Sequence, residues 1–411
     1  MPKALILGGT EDHITLVRSL KNRGYRTILL DYFDNPPARE TADLFVQESI
    51  LDIDAVVSVA EREKPELVVA TCIDQALLTV AYVSEKMGLP CHLSHQKALH
   101  LTNKAYMKKL FSENGIPTSM FTVIEDSARE TPSELTYPLV VKPSDSNSSK
   151  GIRKILRKDE LDDAVTKAMQ QSRSRKVIVE EYIDGEEYSV DVVIKDGKAA
   201  ILMISKNIKI KQNTQSFTIL QNIYLAEVDE KVEAAIKDVS EKIAQAFGLD
   251  NVPLLVQLLV KNNRISVIEF SSRIGGGSKH HFIKRMSGFD ILNYFIDVLT
   301  GKPTAVNVSK FPNYASMNYI YSQPGIFHGV DGIDELKQEG VIEDYYCYKT
   351  PGMTIANNSS SADRPAGFMV IANSQKELDE KTLYIDSKIK VLGDNNKDIM
   401  MHGLFEDAMS G

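Results

Sequence analysis

Several short stretches of this chain hold the residue types needed to grip a phosphate chain and a hard metal ion. Lys104 opens a helix expected over residues 105–114, where a cation is unfavourable against the helix macrodipole unless an anion faces it. Lys142 ends the apolar strand 139–142, just before Pro143, and a charge in that position needs a partner. The next loop, SDSNSSKG (144–151), is built of small residues, Ser149 and Gly151 among them, whose backbone N–H groups can close over phosphates. In VIVEEYIDGEEYSVDVV (177–193) an acidic segment separates two apolar strands, with an Asp-Gly turn at its centre. Such a segment suits the edge of a nucleotide pocket, and an exposed Glu-rich turn carries the same signature. Gln257 lies inside LLVQLLV (254–260) and Glu269 follows Val267-Ile268; oxygen acceptors of this kind suit Mg²⁺, which also bridges phosphates. Arg273 and Gly275-Gly276-Gly277 set a bidentate cation beside backbone donors, an arrangement suited to a carboxylate or an acyl phosphate. A Glu and an Arg four apart are also an ordinary surface pair.

The elements that must carry these residues follow from periodicity. Residues 1–95 alternate strands (4–7, 25–30, 67–70) with helices (13–23, 53–63, 75–87), which predicts a parallel sheet with covered faces. The Gly8-Gly9 turn lacks the G-x-G-x-x-G spacing of a dinucleotide site. Ligands of such sheets bind at the C-terminal strand ends, so Gly9, Asp31 and residues 71–74 are candidates for holding a second substrate. The chain from Val177 reads as a hairpin-like or hinged β segment. A strand over 199–205 leads into an expected loop carrying Lys206, Lys209 and Lys211. The helix 230–247 buries Val232, Ala235, Ile236, Val239, Ile243 and Ala246 on one face. Beyond residue 306, strands at 315–321 and 367–372 and a helix at 375–388 form a last unit.

Composition narrows the partners. The 411 residues carry 48 Lys plus Arg against 56 Asp plus Glu, a net charge of −8, which argues against nucleic acid because phosphate backbones call for a basic face. Three scattered cysteines, Cys72, Cys91 and Cys347, lack metal spacing and suit a reducing, cytoplasmic setting. No apolar run reaches the ~18 residues of a membrane span, and the N-terminal run is too short for a signal peptide.

Taken in order, Asn103-Lys104, YPLVVKPSDSNSSKGI, the E-E-Y-I hinge, LLVQLLV and ISVIEFSSRIGGG resemble the ATP-grasp superfamily. The resemblance implies an α/β chain, α+β in its centre, with three parts. These are a Rossmann-like domain at 1–95, an ATP-grasp domain at 96–305 with a small lid at about 115–185, and an α+β domain at 306–411. It also implies a carboxylate–amine ligase that passes through an acyl phosphate, as in amino-acid ligases and in members resembling carbamoyl-phosphate synthetase or glycinamide-ribonucleotide synthetase. The implied cofactors are ATP and Mg²⁺ (or Mn²⁺), the partners a small-molecule carboxylate and an amine, and a homodimer is compatible with it. On this resemblance Lys104, Lys142, Ser149 and Gly151 hold the triphosphate, and Lys211 reaches the γ-phosphate. Glu180, with the main chain of Glu181 and Ile183, reads adenine between Val140 and Ile268, and Glu187 takes the ribose. Gln257, Glu269 and Ser271 hold the metal, with Ser271 standing where the family pattern has Asn. Arg273 stabilises the acyl phosphate. Two other activities fit the resemblance: a bicarbonate-activating enzyme like biotin carboxylase, for which no Met-Lys-Met carrier motif is present, and a nucleotide-binding regulator without turnover.

Overall fold

Apolar tetrads such as Ala4-Leu5-Ile6-Leu7 are buried on both faces, which is what a parallel sheet sandwiched by helices requires. A computed structural model describes residues 1–125, 134–145, 151–211, 217–302, 304–356 and 360–410. Strands β1 (Lys3–Leu7), β2 (Arg26–Asp31), β3 (Leu44–Gln47) and β4 (Leu67–Val69) form a sheet of order β3-β2-β1-β4, with every pairing parallel. Helices α1 (Glu11–Asn22), α2 (Ile53–Glu63) and α3 (Asp74–Met87) connect them. The short β3, with its partly buried residues, goes unannounced by alternation. Gly8 turns the chain at φ +108°, and a Cβ there would lie 2.6 Å from Ile73 Cδ1, so the turn requires glycine.

The ring of His13, just past this turn, is fully buried, and burial pushes its pKa down to about 4. His92, whose Nε2 donates to the Ser272 carbonyl at 3.1 Å, is likewise pushed down by burial to about 4. Both rings are neutral in the fold and titrate near 6.5 when unfolded. Folded values below the unfolded one mean that this stability is complete above pH 6.5 and lost as pH falls towards about 4. The melting temperature is therefore expected to fall across that window, His13 alone giving up as much as roughly 3 kcal/mol at its acid end. A melting temperature that stays flat over the same window would overturn the neutral assignment.

Helix α4 (His95–Leu101) and helix α5 (Lys104–Glu113) lead out of this domain; Asn103 caps α5 by accepting from the Tyr106 N–H at 3.1 Å. A second sheet follows, antiparallel and of order β5-β8-β6-β7. It comprises β5 (Phe121–Glu125), β6 (Leu139–Pro143), β7 (Arg153–Ile155) and β8 (Lys176–Glu181). Helix α6 (Leu161–Gln171) covers it with Leu161, Ala164, Val165 and Ala168.

The segment from Val177 is hinged and makes no hairpin. β8 belongs to this small sheet, whereas β9 (Glu186–Lys195) belongs to a large one, and residues 182–185 carry the chain between them. There Tyr182 N–H donates to the Pro138 carbonyl at 2.9 Å and Gly185 N–H to the Ile183 carbonyl at 3.1 Å.

The large sheet also holds β10 (Lys198–Lys209), β11 (Ile219–Tyr224), β12 (Val252–Lys261) and β13 (Arg264–Ser271), with α7 (Glu230–Phe247) on one face. The expected loop over Lys206 and Lys209 is strand instead. β10 continues through both residues, Lys206 in register with β9 and β11 and Lys209 with β11, and Lys206 and Lys209 find Glu186 and Glu187 on β9 as ion-pair partners. Helices α8 (Lys279–Ser287) and α9 (Ile291–Leu299) then return to the N-terminal domain, where Arg23 donates to Asp297 at 2.8 Å and to Asn293 at 2.7 Å.

The last unit is fused to the large sheet. β14 (Tyr314–Tyr319) pairs antiparallel with β11. Two short pairs follow, β15 (Gly325–Ile326) with β18 (Thr354–Ile355) and β16 (Gly329–Asp331) with β20 (Lys390–Leu392). β17 (Asp344–Cys347) and β19 (Ala366–Ala372) complete the row β13-β12-β9-β10-β11-β14-β19-β17. Among the described residues no helix is long and apolar enough to cross a membrane, and all three cysteines are free.

Candidate active site

Strand alternation divides the large sheet into two chemically different faces. On β9, Val190, Val192 and Ile194 point into a core shared with Val232, Ile236, Val239 and Ile243 of α7. Glu187, Ser189 and Asp191 therefore face the other way. Ser189 stands opposite Gln257 of β12, and Gln257 opposite Glu269 of β13. Asp191 stands opposite Leu255, and Leu255 opposite Ser271. The β12–β13 register skips one residue between Gln257↔Glu269 and Leu258↔Val267. This bulge at Ile268 restores Val267 and Ile265 to the core and leaves Ile268 half-buried beside Glu269. Gln257, Glu269 and Ser271 thus share one face, presenting an oxygen-only donor set of the hardness Mg²⁺ takes. Among the described residues no three His, Cys, Asp or Glu side chains gather as a metal site, so Glu269 is the one carboxylate in that set.

A cluster of charge faces this surface from α5 and the small sheet. Lys142 of β6 donates to Glu180 Oε1 at 2.5 Å. Lys108, one turn beyond Lys104 on α5, lies 2.6 Å from Glu180 Oε2, which also accepts from Ser119 Oγ at 2.8 Å. All three charged residues are buried, Lys108 to 1% exposure and Glu180 to 7%. Burial alone would raise the Glu180 pKa, but Lys142 and Lys108 outweigh it and bring it to about 2. Lys108 is pushed down to about 8, chiefly by burial and in part by Lys142, against the pull of Glu180. Lys104 pairs with Glu269, and its N–H donates to the Ser144 carbonyl at 2.9 Å. Lys108 was not foreseen, although it interrupts the apolar face of α5 next to Met107 and Phe111, which are buried with it.

Arg273 lies just past the end of β13, where the N-terminal domain meets it. Its Nε and Nη2 donate to Asp74 Oδ1 and Oδ2 at 2.7 and 2.6 Å. The glycine loop behind it leaves room for Cys72, since a Cβ at Gly276 would lie 3.3 Å from Cys72 Cβ. Gly9 and Asp31, the other strand-end candidates, bind each other, the Gly9 N–H donating to Asp31 Oδ2 at 2.7 Å.

The remaining expected residues fall as follows. Glu187 accepts from Asn207 at 2.8 Å and pairs with Lys209 at 2.5 Å; Asn207 in turn accepts from Asn222 at 2.7 Å. The Glu181 N–H is committed to the Met120 carbonyl at 2.9 Å, and its carboxylate accepts from the Thr136 N–H at 2.8 Å. Ile183 lines a groove with Pro117, Thr118, Leu259 and Ser266. Val140 is buried on β6, beside Glu180 in register. Gly151 (φ +73°) packs on Pro143 and Gln171 so closely that a Cβ would meet Gln171 Oε1 at 2.4 Å. Lys211 is exposed. Ser149 lies outside the described residues.

Comparison with known proteins finds a domain match in part of the chain and similar folds over most of it. Residues 135–280 match the ATP-grasp domain. The chain is 27% identical over 280 residues to the formate-dependent phosphoribosylglycinamide formyltransferase of Ignicoccus hospitalis, a match covering 66% of this chain and 69% of that protein. Its fold is similar to that of the L-amino acid ligase from Bacillus licheniformis, with a TM-score of 0.78 at 20% identity over 96% of this chain and 99% of that one. It is also similar, at TM-score 0.77 and 16% identity, to the biotin carboxylase domain dimer of Hydrogenobacter thermophilus 2-oxoglutarate carboxylase in complex with MgADP, ADP and bicarbonate. That match covers 98% of this chain and 92% of the other.

Proposed function

We propose, for a chain that carries an ATP-grasp domain in an ATP-grasp fold, an ATP-dependent carboxylate–amine ligase activity that runs through an acyl phosphate. The observation that carries this reading is the gathering of Lys104, Lys142, Glu180 and Glu269 between the two sheets, with Arg273 beside them. Each cation there is neutralised by a carboxylate of the same site, so an incoming triphosphate finds lysines already in place. Similarity to an L-amino acid ligase over nearly the whole chain supports the reaction class.

In this reading Lys104 and Lys142 turn from Glu269 and Glu180 to the phosphates, and Gly151 and Ser149 close over them. Lys108 and Ser119 keep hold of Glu180, so its carboxylate stays ionised and fixed beside the adenine between Val140 and Ile268. With the Glu181 N–H occupied, the N–H of Ile183 is the hinge donor for the base. Glu187, on the polar face, takes the ribose, and Lys211 approaches the γ-phosphate. Gln257, Glu269 and Ser271 would hold Mg²⁺, which when bound supplies neutralisation of the phosphate charge. The substrate carboxylate attacks the γ-phosphorus and ADP leaves. An amine then attacks the acyl carbon and inorganic phosphate leaves, the Arg273 guanidinium stabilising the oxyanion.

The test is a screen of amino acids and other carboxylates for phosphate release from ATP, repeated with ¹⁸O-labelled carboxylate on any pair that reacts. One label is expected in the released phosphate. Label in AMP would mean adenylation and would sink the acyl-phosphate route. Bicarbonate belongs in the same screen, because of the similarity to a biotin carboxylase domain.

A further inference from the structure

Asp74 is the first residue of α3, at the C-terminal end of β4, and so belongs to the N-terminal domain. Its side chain nevertheless binds the end of β13, in another sheet. Oδ1 accepts from Ser271 Oγ at 2.5 Å and from Arg273 Nε at 2.7 Å, and Oδ2 accepts from Arg273 Nη2 at 2.6 Å. The guanidinium is held in a two-pronged pairing and its Nη1 donates to the Ile274 carbonyl at 3.0 Å, which fixes the plane of the fork. Burial disfavours the Asp74 carboxylate, but Arg273 more than compensates and holds its pKa below the ordinary value.

The bond from Ser271 has a further consequence. A serine hydroxyl has one proton and two lone pairs. With the proton committed to Asp74, the oxygen can act towards anything else only as an acceptor or a ligand. Ser271 lies two residues from Glu269 on the polar face of the sheet, so its oxygen is on the same face as that carboxylate. We infer that Asp74 is a positioning residue for the catalytic face: the N-terminal domain, through this one carboxylate, sets the plane of Arg273 and turns the Ser271 oxygen towards the metal position beside Glu269. The inference rests on the ligase reading above for the presence of the metal. It differs from a simple domain clasp, which would change stability and leave metal affinity alone.

The experiment is a cycle of Asp74→Asn, Ser271→Ala and the double variant, read by the affinity of Mn²⁺ for the protein–ADP complex in electron paramagnetic resonance titrations. ADP binding without metal is measured alongside by calorimetry. Asp74→Asn is expected to weaken Mn²⁺ binding several-fold and to leave metal-free ADP binding unchanged. Ser271→Ala is expected to lose a similar factor, and the double variant no more than Ser271→Ala alone, since Asp74 acts on the metal through Ser271. Wild-type affinity in Asp74→Asn, or losses that multiply in the double variant, would overturn the inference. If Asp74→Asn does not fold, Ser271→Ala decides by itself, and unchanged Mn²⁺ affinity there also overturns it. Wild-type protein that binds no ADP at all would instead bring down the ligase reading and this inference with it.

Discussion

Replacing Glu180 by alanine is expected to destabilise the protein by about 3–5 kcal/mol, the usual cost of removing one partner from a buried ion pair. Glu180 is the shared counter-ion of Lys108 and Lys142, which are 1% and 3% exposed. Without it two ammonium groups sit together with no carboxylate in contact, and each must shed its proton or reach water. Chemical denaturation at neutral pH measures the loss, and a second substitution, Lys108→Met in the Glu180→Ala background, should recover part of it. A loss under ~1 kcal/mol would mean that the lysines reach water easily and that the site is open. The pH dependence has a definite sign. Glu180 sits at about 2 in the fold against a usual value near 4.5, so its contribution is complete above pH 4.5 and lost as pH falls towards about 2.

The second large effect is expected at Glu269. Glu269→Ala removes the one carboxylate of the proposed metal set and the counter-ion of Lys104. Mg²⁺ should then no longer strengthen ADP binding. Its affinity should fall by more than roughly a hundredfold, the upper end of what loss of a mere outer-shell partner costs. Calorimetric titrations of ADP with and without Mg²⁺ separate the two terms, because Lys104 is left free to meet phosphate and metal-free ADP binding should hold or improve. A variant whose ADP affinity still rises with Mg²⁺ would place the metal on other residues.

How much of this was legible in the sequence depends on the range of the interaction that decides each feature. The helices 230–247 and 375–388 were readable to the residue, because capping side chains and a 3.6-residue apolar period are local signals. The strands of the N-terminal sheet were nearly so, except β3, whose residues are only partly buried and lack the fully buried apolar run of its neighbours. Lys206 and Lys209 looked like loop because lysines are poor strand formers. In β10 they pair with Glu186 and Glu187 on the neighbouring strand, some twenty residues earlier. The joining of Asp74 to Arg273 across 199 residues has no local signature at all. Nor has the Ile268 bulge, which rephases β13 so that Ile268 and Glu269 share a side. Lys108 gave a weak local hint, a charge on an apolar helix face. Its partner, Glu180, lies on β8 of the small sheet, beyond the reach of any local pattern.

The pairing of β11 with β14, Gln221 opposite Asn318 and Ile223 opposite Ser316, makes the boundary near residue 305 a seam in the covalent chain only. In the hydrogen-bond network there is no boundary. The Gln221 side chain reinforces it with a buried bond to Asn318 at 2.7 Å. The C-terminal unit is therefore unlike a cassette that evolution or an engineer can exchange at a linker, since any replacement must bring a strand of matching register for β11 or leave that edge bare. Mechanical strain arising at β13 beside Arg273 has an unbroken path of eight strands to β17, the outermost strand of that unit. Rocking of the C-terminal unit against the polar face would have to twist the whole sheet.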